Sequence, residues 1–125
     1  MTAPAQAFPG LRLLVVEDEA FIAMEVEDML HALGCEVVDT ASTVDKALAC
    51  VRRGGIDGAL LDANLHGHSV LPVAEELAGS AVPFVLLTGY SRRENDPPLL
   101  REARRVSKPF NLSSLSAAIG ETLLR

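Results

Sequence analysis

Three short runs of almost unbroken apolar residues, 11–16, 58–62 and 83–88, constrain this chain more than any other feature. A strand with one wet face alternates apolar and polar side chains. A strand covered on both faces does not, and such strands belong to parallel sheets sandwiched between helices. Helical patterns lie between the runs. In 20–33, Ile22, Val26, Met29, Leu30 and Leu33 form one stripe with Glu25, Glu27 and Asp28 off it, and Gly34 follows as a stop. Residues 43–53 and 70–78 give further amphipathic stretches, and Asn111 predicts the N-cap of a last helix running to about Leu124. Weaker strands fit 36–40 and 105–107. The pattern is five βα units in one domain, 11–125, after a mobile tail of residues 1–10. With aromatics at 4%, the core must be aliphatic.

Right-handed crossovers leave few ways to arrange five parallel strands. The expected fold is α/β, a flavodoxin-like doubly wound sheet of strand order 2-1-3-4-5, with a short or irregular fourth helix. Ligands of such sheets bind beyond the carboxyl ends of the strands. Here those ends carry Glu17-Asp18-Glu19, Asp62, Thr88-Gly89 and Lys108-Pro109. Taken singly, each has an ordinary reading: an acidic run complementing a helix N-terminus, a local threonine cap, a surface lysine. Asp62 is harder to place that way, since it closes an apolar strand where charge is expensive. Together, at four adjacent strand ends, they fit a phosphoryl site. Carboxylates hold Mg²⁺ while it keeps waters and takes up phosphate. A carboxylate can itself be the nucleophile that becomes an aspartyl-phosphate, while a lysine and a hydroxyl serve the phosphoryl oxygens. Asp57, before the third strand, falls at the opposite rim.

Other functions are disfavoured. A formal charge of −6 argues against a nucleic-acid partner. The N-terminal stretch resembles neither a signal peptide nor a membrane span. Cys35 and Cys50 have no metal or redox spacing and read as free thiols of a cytoplasmic protein.

At these residues the chain resembles the receiver domain of two-component response regulators. The matching stretches are LLVVEDE (13–19), ALLDANL (59–65), FVLLTGY (84–90) and SKPF (107–110). The resemblance implies Asp62 as phosphoacceptor and Mg²⁺ as cofactor. Asp18 and Asp62 would be direct ligands, Asn64 would ligate through its backbone carbonyl, and Glu17 through water. It implies that Thr88 binds a phosphoryl oxygen, that small Gly89 leaves room for it, that Lys108 pairs with the phosphoryl group, and that Pro109, cis in many relatives, sets the loop presenting the lysine. Pro83-Phe84 with Thr88-Gly89-Tyr90 is similar to the proteobacterial subset called FAT GUY receivers.

The chain also departs from the family pattern. His66 stands where many receivers have proline. With no third ligand on its loop, the His66/His68 pair reads as surface histidines. The switch aromatic that most receivers carry three residues before the lysine is replaced by Arg105. Tyr90 is either its substitute or a ring packed on the rim. Pro97 and Pro98 interrupt the fourth helix, leaving at most a short one from Leu99 to about Ala103. Arg92, Arg93, Arg101, Arg104 and Arg105 form either a solvated basic face or a docking patch for an acidic protein partner. Phe21 and Met24 fall off the core stripe of the first helix and offer an apolar surface beside the site.

The expected function is a single-domain response regulator, a monomer whose partners are a sensor histidine kinase and/or a histidine phosphotransfer protein. It would serve as a phosphorelay shuttle, a phosphate sink or a phosphorylation-dependent binding switch, and as an enzyme only toward its own phosphorylation and dephosphorylation. Two alternatives remain: a degenerate receiver that binds partners without phosphorylation, and a haloacid-dehalogenase-type phosphatase, whose Asp-x-Asp nucleophile pair the first strand lacks.

Overall fold

A computed structural model describes residues 7–89 and 96–123. The apolar runs form β1 (Arg12–Val16), β3 (Gly58–Asp62) and β6 (Phe84–Thr88), joined by β2 (Glu36–Ala41) and β7 (Arg105–Ser107) in a parallel sheet of order β2-β1-β3-β6-β7. All five residues of β3 are buried, as its uninterrupted apolar sequence requires. The helices are α1 (Ala20–Ala32), α2 (Val44–Arg53), α3 (Leu71–Gly79), α4 (Pro98–Arg101) and α5 (Leu112–Thr122). A two-residue hairpin, β4 (Asn64–Leu65) with β5 (His68–Ser69), interrupts the connection from β3 to α3.

The period-2 alternation of the central strands divides the core into two layers. Leu13, Val15, Leu60, Val85 and Leu87 face α1 and α5, where Val26, Leu30, Leu115 and Ile119 complete one cluster. Leu14, Val16, Ala59, Leu61 and Leu86 face α2 and α3, against Ala47, Val51, Val73 and Leu77. Truncating any of these leucines to alanine would cost about 2–5 kcal/mol. Helix ends follow local chemistry. The Thr43 hydroxyl accepts the Lys46 N–H at the start of α2, and Asn111 caps α5 in a reciprocal box with Ser114. Gly34, at φ +87°, turns the chain out of α1 in the left-handed conformation that favours glycine.

Two expectations need correction. The N-terminal tail is not free from residue 7 onward: Phe8 is buried, its N–H donates to the Leu33 carbonyl at 2.8 Å, and its ring approaches Gly120. One aromatic in a Pro/Ala-rich stretch suffices to seat it, because it covers apolar surface at the end of α5. The β3–α3 connection is a hairpin rather than an open loop. His66 (φ +50°) and Gly67 (φ +82°) are both left-handed, as a tight two-residue β-turn demands. Proline, with φ fixed near −65°, cannot stand at position 66 in this turn, which accounts physically for the departure there. Among the described residues, no helix is long and apolar enough to cross a membrane.

Candidate functional site

The sheet gathers the predicted residues at one rim. β1 and β3 run side by side in parallel, so the residues after Val16 arrive beside Asp62, and ligand atoms of Glu17, Asp18 and Asp62 all lie within 4.8 Å of one another. β7 continues into Lys108, whose N–H donates to the Thr88 carbonyl at 2.8 Å. Its ammonium thereby lies 3.3 Å from Glu17 Oε1 and 3.5 Å from Asp62 Oδ2. The Lys108–Pro109 peptide is cis. Thr88 is buried at the end of β6, and a Cβ added to Gly89 would meet nothing within 4 Å. The Asn64 N–H donates to Asp62 Oδ1 at 3.1 Å. Asp57 is at the far end of the sheet, accepting the Arg12 N–H at 2.9 Å.

Electrostatics separate the three carboxyls. The Glu17 side chain is wholly buried. That burial, a hydrogen bond to Asp62 and the Asp62 charge push its pKa up to about 8, against the pull of the Glu19 N–H and Lys108. Burial also opposes ionisation of Asp18, but the His66 N–H and hydrogen bonds from Glu17 and Asp62 outweigh it and hold that carboxyl below its ordinary value. Burial works against the Lys108 charge too. Asp62 and Glu17 reverse this and raise its pKa. Three crowded carboxyls with one ammonium suit a hard divalent cation, which neutralises oxygen donors that otherwise repel one another.

A pH dependence follows. A carboxyl whose pKa rises from 4.5 to about 8 on folding stabilises the fold below 4.5, and that contribution is lost as pH rises through about 8. Without metal, the melting temperature should fall across this window, and Glu17→Gln should flatten the slope. Thermal melts of both proteins in chelator check this; parallel slopes would refute it.

Three features escaped the sequence reading. The His66 N–H donates to Asp18 Oδ2 at 2.8 Å, and its imidazole Nδ1 lies 3.4 Å from the same oxygen, so His66 is not an idle surface residue. Arg105 donates from Nη2 to the Leu100 carbonyl at 2.7 Å, while its Nε is buried without a hydrogen-bond partner. Arg104 pairs with Glu121 at 2.8 Å. Among the described residues of the basic segment, the Arg104 and Arg105 guanidiniums are thus committed within the chain, which weakens the reading of a docking patch. Arg92, Arg93 and the switch candidate Tyr90 lie outside the described residues. The apolar surface beside the site is real: Phe21 is 83% exposed and Met24 61%.

Residues 13–120 match the response regulator receiver domain. The chain belongs to that family. This receiver is 42% identical to SdrG from Sphingomonas melonis Fr1, with a TM-score of 0.78, over 89% of this chain and 94% of that one. It is 31% identical to the transcriptional regulatory protein PdtaR of Mycobacterium tuberculosis over 94% of its own residues, and 31% identical to the phyllosphere-induced regulator PhyR of Methylorubrum extorquens over 89%. It spans 59% and 43% of the length of those two regulators. The family and the parallel five-stranded topology agree with the expected receiver fold, and nothing favours the phosphatase alternative.

Proposed function

We propose that this receiver accepts a phosphoryl group on Asp62 from the phosphohistidine of a sensor kinase or phosphotransfer protein. The observation that carries the reading is the setting of Asp62, at the buried end of β3 with Glu17 and Asp18 on one side and the Lys108 ammonium at 3.5 Å. In the transfer an Asp62 carboxylate oxygen bonds to phosphorus as the phosphorus–nitrogen bond breaks, and the electron pair returns to the donor imidazole. Mg²⁺, when bound by Asp18, Asp62 and the Asn64 carbonyl, with Glu17 reached through water, would neutralise phosphoryl oxygens. Lys108, now shared between Glu17 and Asp62, pairs with the charge that arrives. Thr88 offers its hydroxyl to one oxygen from the end of β6, and Gly89 leaves that approach open. Catalysis is limited to the domain's own phosphorylation and dephosphorylation, and the setting is cytoplasmic.

Amide NMR with beryllofluoride and Mg²⁺ tests this. Shifts should centre on 17–18, 62–66, 88–90 and 108. A folded protein with no response would make it a degenerate receiver. The same spectra report residues 90–105, where Tyr90 and Arg105 should respond if they replace the absent switch aromatic.

The exposed Phe21 and Met24 on α1 suit docking of the helical bundle that carries the phosphohistidine. Phe21→Ala should slow transfer from the kinase by about tenfold or more, the scale of one good interface contact, yet leave labelling by acetyl phosphate unchanged. Equal losses with both donors would place Phe21 in the fold instead.

A further inference from the structure

The hairpin β4–β5 brings an imidazole nitrogen to the edge of a site whose cation-binding atoms are otherwise oxygens. His66 stands at its tip, and two interactions place it against one oxygen of Asp18: the backbone N–H at 2.8 Å and imidazole Nδ1 at 3.4 Å. The left-handed backbone at His66 and Gly67 fixes the tip, so this approach is set by the turn rather than by a freely rotating chain. The ring itself is 63% exposed and can reorient, whereas the Asp18 side chain is 14% exposed and held. Two donors bound to one ion at about 2.1 Å each, at right angles, lie about 3 Å apart. The Nδ1–Oδ2 separation is within a small ring rotation of that value.

We propose that His66, set against Asp18 at the edge of the cation site, is a nitrogen arm that raises the site's affinity for borderline divalent ions such as Zn²⁺ and Ni²⁺ above what the Glu17–Asp18–Asp62 carboxylates alone give. The inference rests on the reading of those three residues as a cation site. Its chemistry is ligand softness: carboxylate, carbonyl and water suit Mg²⁺, whereas imidazole suits zinc, nickel and copper. A Zn²⁺ ion held by Asp18 and His66 competes with Mg²⁺ for Asp18. The occupant of the site then depends on which metal is available. His68 is a natural control. It belongs to the same hairpin, pairs across from Leu65, and shares with His66 a groove bounded by Thr43, Val44 and Leu71.

Calorimetric titration of the full chain with ZnCl₂ and, separately, MgCl₂ tests the proposal on wild type, His66→Asn and His68→Asn. Asparagine tolerates a left-handed backbone and keeps the N–H on Asp18, so only the imidazole is removed. Zn²⁺ binding should weaken by about tenfold or more in His66→Asn, while Mg²⁺ binding stays within about twofold. His68→Asn should behave as wild type. Ring ¹⁵N signals of His66 should move with Zn²⁺ and not with Mg²⁺. Unchanged Zn²⁺ affinity in His66→Asn, or an equal loss for both ions, overturns the role of His66. A wild type that binds no Mg²⁺ overturns the cation-site reading beneath it.

Discussion

Asp62→Ala should abolish the phosphoryl adduct that acetyl phosphate and Mg²⁺ form on the wild-type protein, as read by intact mass. The loss should be complete, because among the described residues no other carboxyl is placed to substitute. Glu17 has a wholly buried side chain, out of reach of a phosphoryl donor. Asp18 is tied to the His66 N–H. Asp57, the other aspartate near β3, is bound to Arg12 at the opposite end of the sheet. Asp57→Ala should therefore label normally. An adduct that survives Asp62→Ala, or disappears in Asp57→Ala, would remove Asp62 from its role.

The second large effect concerns metal. Mg²⁺ at a hundred times its dissociation constant should stabilise the wild type by about 2.7 kcal/mol, and Asp18→Asn should lose most of that gain. The variant should otherwise fold normally, since an asparagine side-chain oxygen can still accept the 2.8 Å hydrogen bond from His66. Its metal-free stability should fall slightly near neutral pH, because a carboxyl whose pKa is lowered on folding stabilises the fold in its charged form, which asparagine lacks. Equal Mg²⁺-induced shifts in Tm for both proteins would exclude Asp18 as a ligand.

What the sequence reveals, and what it hides, has a physical pattern. The central strands are readable to within a residue because burial on both faces leaves no polar interruption, as all of β3 shows. The four strand ends converge by topology alone, so the acidic triad and Lys108 follow once the strand order is settled. The hairpin is different. Its two-residue strands are too short for any period, and the turn is His-Gly rather than the commoner Asn-Gly. The approach of His66 to Asp18 spans 48 positions and depends on that hairpin. Phe8 is a single residue with no pattern around it, and the bond from Arg105 to Leu100 depends on a long side chain whose direction no local rule sets.

That last bond bears on the order in which the molecule assembles. A four-residue helix such as α4 cannot nucleate alone, since even alanine-rich helices below about 12 residues are marginal in water. Pro98 presets the first turn, and the Leu100 carbonyl takes its shorter bond, 2.7 Å, from a guanidinium of β7 and only a 3.4 Å bond from the Ala103 N–H. β7 in turn exists only when Arg105 has paired with Leu86 of β6. Helix α4 should thus form after the sheet closes, drawing one of its bonds from the strand that follows it. The same dependence should loosen it when the edge of the sheet frays.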